Sequence, residues 1–123
     1  MFRYAAFSAA VLAGVSSTYA QANTMDGVWA RGDGKARVRI EDCGSNTCAV
    51  NVWIKPGTKG EKVGDRLIMD LEQTGTGKFE GEARDPQRGL TYDISVDVNG
   101  DSMTTRGCVL AKIVCKSVGW TKQ

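Results

Sequence analysis

Along this chain apolar and polar residues alternate in short runs of period two, and the clearest run is LTYDISVDV, residues 90–98. Leu90, Tyr92, Ile94, Val96 and Val98 fall on one face, while Thr91, Asp93, Ser95 and Asp97 fall on the other. Successive side chains of a strand point to opposite sides, so the run predicts a strand with one buried and one wet face. Weaker alternation predicts strands in KARVRIE (Ala36, Val38, Ile40 inward) and AVNVWI (Val50, Val52, Ile54 inward). It predicts two more in LIMDL (Leu67, Met69, Leu71 inward) and KFEGEAR (Phe79, Gly81, Ala83 inward). Further strands are expected at 27–30, 102–109 and 113–121. No helical period runs long enough for a helix of ordinary length.

Turn chemistry separates these segments. Asn99-Gly100 predicts a type I′ hairpin, which needs positive φ at both central residues. Asp85-Pro86-Gln87-Arg88-Gly89 reads as a second turn, since Pro86 presets φ and Gly89 accepts the left-handed region. Residues 55–65, KPGTKGEKVGD, form the one long connection, rich in glycine and lysine. Eight short strands joined mostly by tight turns predict an all-β fold: an antiparallel up-and-down meander closed into a small barrel, which removes exposed edges.

The start of the chain sets the compartment. One basic residue, Arg3, precedes the apolar run AAFSAAVLAGV, and Ala20-Gln21-Ala22 fits a small-residue cleavage site. The run is shorter than the roughly 20 residues a spanning helix needs. Residues 1–22 are therefore expected to be a cleavable signal peptide, and residues 23–123 a single small domain in the periplasm or outside the cell, not spanning the membrane once cleaved. Across the whole chain 16 Lys and Arg face 14 Asp and Glu, and losing Arg3 leaves 15 against 14. That balance gives no electrostatic argument for nucleic acid.

Export changes how the four cysteines read. Cys43 and Cys48 bracket Gly44-Ser45-Asn46-Thr47, and Cys108 and Cys115 bracket a passage around Ala111-Lys112. A zinc site could use four thiolates, but the gaps are four and six residues rather than two, and the chain has no histidine. In an oxidising compartment two disulfides are the default product. Three connectivities are open, and the local one, Cys43–Cys48 with Cys108–Cys115, is expected because each pair flanks a hairpin. No metal and no cofactor is expected.

Other motifs carry little chemistry. GTGK at 75–78 lacks the upstream glycine and the hydroxyl residue of a phosphate loop, so it reads as a hairpin turn. DVNGD at 97–101 lacks the downstream glutamate of a calcium loop. The absence of histidine removes the commonest general base. Carboxylates such as Asp70, Glu80, Glu82 and Asp85 fall mostly on wet faces, so no enzyme is expected; a carboxylate-dependent one is the remote alternative.

The tryptophans are more informative. Trp29 opens the first strand and Trp120 lies in the last. In a closed barrel those strands are neighbours, so the two rings are expected to plug one end together, with Lys122 covering an indole face. Trp53 alternates out of phase with Val50, Val52 and Ile54, which puts it outside, as a partner patch or as a cap over a neighbouring loop. With Lys55, Lys59 and Lys62 it forms the candidate partner or ligand surface.

GVW (27–29), CAVNVW (48–53), VGDRLIMDL (63–71), FEGEARDPQRGLTY (79–92) and RGCVLAKIVCKSVGWT (106–121) together resemble the exported bacterial family known as domain of unknown function 2147. Ala83-Arg84 departs from the apolar-aromatic pair common there, and the chain is shorter than many members. The resemblance implies a small β-barrel in the cell envelope and no established activity. The G-x-W start with a basic residue near the C-terminus is also similar to lipocalin-type barrels, which by analogy suggests ligand binding.

Three functions follow as expectations. The leading one is a non-catalytic envelope protein binding an envelope partner or a small apolar ligand, at a barrel mouth or through the Trp53 face. The alternative is an inhibitor of an envelope-directed enzyme, similar to lysozyme inhibitors, with residues 55–65 as its protruding loop. The remaining one is the carboxylate-dependent enzyme. Because Leu67, Met69, Leu71, Phe79, Leu90, Tyr92 and Ile94 all point inward, no large cavity is expected, only a shallow pocket at Gly81 and Ala83.

Overall fold

The computed structural model describes residues 24–123; the expected leader at 1–22 and the mature start at Asn23 lie outside the described residues. The chain forms β1 (Gly27–Arg31), β2 (Ala36–Cys43), β3 (Asn46–Ile54), β4 (Arg66–Gly75), β5 (Lys78–Asp85), β6 (Leu90–Asn99), β7 (Ser102–Val109) and β8 (Val114–Lys122). Each strand pairs antiparallel with the next, and β8 returns to β1, so the sheet closes into the expected barrel. The described residues contain no helix.

Strand parity is right where both ends of a run agree. On β6, Ile94, Val96 and Val98 are buried, and across the ladder Met103 joins them. On β3 the parity differs from expectation. Arg37 pairs with Trp53 but Val38 pairs with Asn51, so Val52 is an extra residue in a bulge. The bulge flips the strand: Ala49 and Asn51 face inward below it, whereas Val50 pairs with Arg39 and Arg66 on the outer wall. The expected inward set Val50, Val52, Ile54 therefore fails at Val50, and Ile54 shares a face with the buried Ala36.

The β6–β7 hairpin forms where Asn99-Gly100 placed it, one residue later in turn geometry. Asn99 pairs with Ser102, and positive φ occurs at Gly100 (62°) but not at Asn99 or Asp101. A two-residue turn with positive φ at its first central position is type II′ rather than I′.

Both local disulfides form. Cys43 and Cys48 lie diagonally across the β2–β3 hairpin with Cα atoms 5.7 Å apart, and Cys108 stands directly opposite Cys115. No described cysteine is free.

The core occupies one end of the barrel, where Met25, Trp29, Val38, Ile40, Met69, Ala83, Ile94, Val96, Val98 and Met103 pack together. Trp29 is wholly buried, and its indole N–H donates to the Met25 carbonyl at 2.8 Å, so the segment before β1 caps this end. At the other end Leu67 and Tyr92 are only half-buried, and Leu90 is 50% exposed. The expected filled interior therefore forms only at the core end, where Leu71 and Phe79 also pack; the other end is open. The ladders of β3 with β4 (Thr47–Val50) and of β1 with β8 (Trp29–Arg31) are short and are extended toward the mouth by single backbone hydrogen bonds at Asn51 and Gly32.

Candidate functional site

Four connections frame the open end: residues 32–35, 55–65, 86–89 and 110–113. Between them a cavity of about 1560 Å³ descends into the barrel. Its floor is apolar, with Val38, Ile40, Met69, Ile94, Val96 and Met103 among the lining residues. Gly81 and Ala83, the expected pocket, do not line it. Ala83 is packed away from solvent, and a Cβ at Gly81 would collide with the Asp70 carbonyl oxygen, so Gly81 serves the close approach of β4 and β5 instead.

The 55–65 connection is largely exposed, yet it is tied to the barrel at several points. Arg31, on the inner face of β1, gives two parallel hydrogen bonds to Glu61, at 2.6 and 2.8 Å. Its Nε also donates to both oxygens of Asp33 at 3.0 Å. From the 86–89 turn, Arg88 donates to the Gly60 carbonyl and pairs with Asp65 and Asp85. Asn51 anchors the far side: its amide bonds to the Asp65 carbonyl at 3.0 Å, its side chain donates to the Lys62 carbonyl at 3.1 Å, and its own carbonyl accepts from Gly64.

These contacts shift protonation. The hydrogen bond from Arg31 holds the Glu61 carboxyl below its ordinary value, outweighing the effect of burial, and the same bond raises Arg31. Burial pushes Asp85 up, but hydrogen bonds from Gln87 and Arg88 together carry it below the usual carboxylate range. The Tyr92 phenol is raised, chiefly by burial and then by the Asp85 charge, so it stays a neutral donor at physiological pH.

The candidate surface named from sequence is split. Trp53 stands on the outer wall with the Arg37 guanidinium 5.0 Å from its ring centroid. Lys55 and Lys59 line the mouth, and Lys62 sits in the tethered loop without lining the cavity. Trp29 and Trp120 both face inward. Lys122 Nζ lies 5.3 Å from the Trp29 centroid, and the Trp120 indole donates to Thr105 Oγ1 at 3.0 Å. Trp120 lines the cavity and also packs against the core cluster that holds Trp29, while Lys122 lies over the Trp29 ring. Asp70, Glu80 and Glu82 are exposed. Among the described residues no cluster of His, Cys, Asp and Glu could hold a metal ion.

Two lining residues escaped the sequence reading although the period carries them. Arg31 continues the Gly27, Trp29 parity, and Lys116 falls in step with Val114, Val118 and Trp120. Both are cations on the inner face of a barrel.

No match was found among curated proteins or among solved structures. The barrel from the start of β1 to the end of β8 coincides with a family match over residues 27–122. The chain belongs to the family described as an uncharacterized protein conserved in bacteria (DUF2147).

Proposed function

We propose that the protein is an exported, non-catalytic envelope protein that takes up a small ligand with an apolar body inside its barrel. The observation that carries this is the open cavity, apolar below and ionic at its mouth. Small-molecule sites are concave and mostly apolar, with a few placed polar groups, and occupy about 300–1,000 Å³, which this space accommodates. Two disulfides persist in oxidising compartments, which supports the periplasm or the exterior as its location. The ligand reading is preferred to the inhibitor reading because the loop an inhibitor would insert is bonded to the barrel wall at Arg31, Asn51 and Arg88. It is preferred to catalysis because Asp85, the carboxylate nearest the cavity among those weighed, is already engaged by Gln87 and Arg88.

The test is native mass spectrometry of the protein purified from envelope extract, together with titration of dodecanol followed by Trp fluorescence. Expected are a co-purifying small molecule or saturable dodecanol binding at one per chain, unchanged in Trp53→Ala. A barrel that carries nothing and binds no dodecanol overturns the reading. N-terminal sequencing of the envelope protein checks export, the expected first residue being Asn23; an intact Met1 argues against it.

A further inference from the structure

The mouth is electrostatically one-sided once its internal pairs are set aside. Each acid that lines it is committed: Asp33 and Glu61 to Arg31, and Asp65 and Asp85 to Arg88. Lys35, Lys55, Lys59 and Lys116 also line the cavity; Lys35 acts on the Asp33 charge, whereas among the described residues Lys55, Lys59 and Lys116 form no ion pair with an acid. Three of these stand on the rim loops. Lys116 does not: it belongs to β8, on the inward-facing row, where it is still exposed to solvent.

The register fixes its surroundings. Ile94, Gly107 and Lys116 form one row across β6, β7 and β8, and Ile94 is a buried core residue, so the row faces the interior. Above and below Lys116 on the same face are Val114 and Val118, both lining the cavity. Gly107, its neighbour, has no side chain. The Tyr92 ring fills that notch, its Cε2 lying 2.8 Å from where a Gly107 Cβ would be. A lysine paired in register with Gly107 and a half-buried phenol packed against that glycine thus share this wall with Val114, Val118, Thr105 and Trp120. An ammonium so placed, with no carboxylate to meet it, is costly once a ligand displaces water from it, unless that ligand brings a negative charge.

Resting on the ligand reading above, we propose that the cavity takes a single-chain amphiphile whose head is anionic, a carboxylate or a phosphate monoester, received by Lys116 and Tyr92. The tail occupies the apolar floor between Val38, Met69, Val96 and Met103. The interior of an eight-stranded barrel has room for one small ligand, which fits one tail. A cationic head meets the unpaired lysines and no free acid, and a neutral head leaves Lys116 without a counter-charge.

Four probes with the same tail, each below its micelle concentration, test this on the intact mature protein: dodecanoate, dodecyl phosphate, dodecanol and dodecylammonium. A hydrogen bond to a charged group supports about tenfold or more in affinity. Expected is at least one anion binding about tenfold tighter than dodecanol, a ratio that collapses toward one in Lys116→Met and persists in Lys116→Arg. Dodecanol binding by Lys116→Met shows that this variant is folded. The two anionic arms distinguish a fatty-acid head from a lipid-derived phosphate. Equal affinity for dodecanol and both anions, a preference for dodecylammonium, or an unchanged ratio in Lys116→Met overturns the head-group assignment and leaves the ligand reading standing. Failure of all four probes overturns the ligand reading and this inference with it.

Discussion

Glu61 grips Arg31 with both carboxylate oxygens, at 2.6 and 2.8 Å, across thirty residues of sequence. The pair joins the loop over the mouth to the inner wall of β1, and both side chains are largely shielded, 16% and 25% exposed. A bidentate, charge-assisted pair of this kind resists solvent better than a surface ion pair. Glu61→Gln is expected to cost about 1–2 kcal/mol. It should also speed hydrogen exchange at the amides of residues 58–64 more than at β6. Equal protection of the loop in both proteins would show that the pair does not hold it.

Acid should open the same latch. The folded-state values of Glu61 and Asp85 lie below their ordinary ones, so the stability they contribute is complete above the unfolded value and is lost as pH falls through the folded one. Melting temperature is therefore expected to fall below about pH 4, where unfolded carboxylates begin to take up protons. The fall should be smaller in the double variant Glu61→Gln, Asp85→Asn, which starts lower at pH 7. A parallel fall in both proteins would place the acid sensitivity elsewhere.

Gly81 tests the wall rather than the mouth. Its would-be Cβ meets the Asp70 backbone, which cannot rotate away as a side chain would. Gly81→Ala is expected to destabilise by about 2 kcal/mol or more in urea unfolding, near the upper range for overpacking. A neutral result would mean that β4 and β5 separate at little cost.

The β7–β8 hairpin carries the opposite prediction. Leu110, Ala111 and Lys112 all have positive φ, 54°, 56° and 69°, where L-residues lose roughly 1–2 kcal/mol each. Glycine relieves that cost and gives back part through its freer unfolded chain. Ala111→Gly should therefore stabilise by about 0.5–1 kcal/mol. Unchanged or reduced stability would argue that these residues leave the left-handed region in solution.

The disulfides are separable in the same way. Each closes a short loop, for which chain entropy gives about 2 kcal/mol. Replacing both members of either bridge by serine should lower stability by about that amount while the other bridge survives in non-reducing peptide maps. A fragment linking residue 43 or 48 to residue 108 or 115 would contradict the pairing.

The sequence by itself determined whatever depends on near neighbours. The alternation of LTYDISVDV settled the inner face of β6 because a strand turns its side chains over at every residue. Cys43 with Cys48, and Cys108 with Cys115, were legible because hairpins bring residues this close in sequence to opposite strands. Lys116 escaped that reading although it falls in step with Val114 and Val118, because parity alone does not say that the row is a cavity wall. The tertiary structure decided the rest. Parity names a face and not a height along the barrel, so Leu90 and Ile94 share a face although one sits at the rim and the other in the core. The bulge at Val52 changed the face of β3 midway, and only the pairing of Arg37 with Trp53 and Val38 with Asn51 reveals it. The cavity itself follows from where along the barrel the large side chains gather: Trp29, Met69 and Met103 fill one end, while Leu90 and Val114 stand exposed at the other. That distribution is set by closing eight strands around one core, a constraint no single stretch of sequence contains.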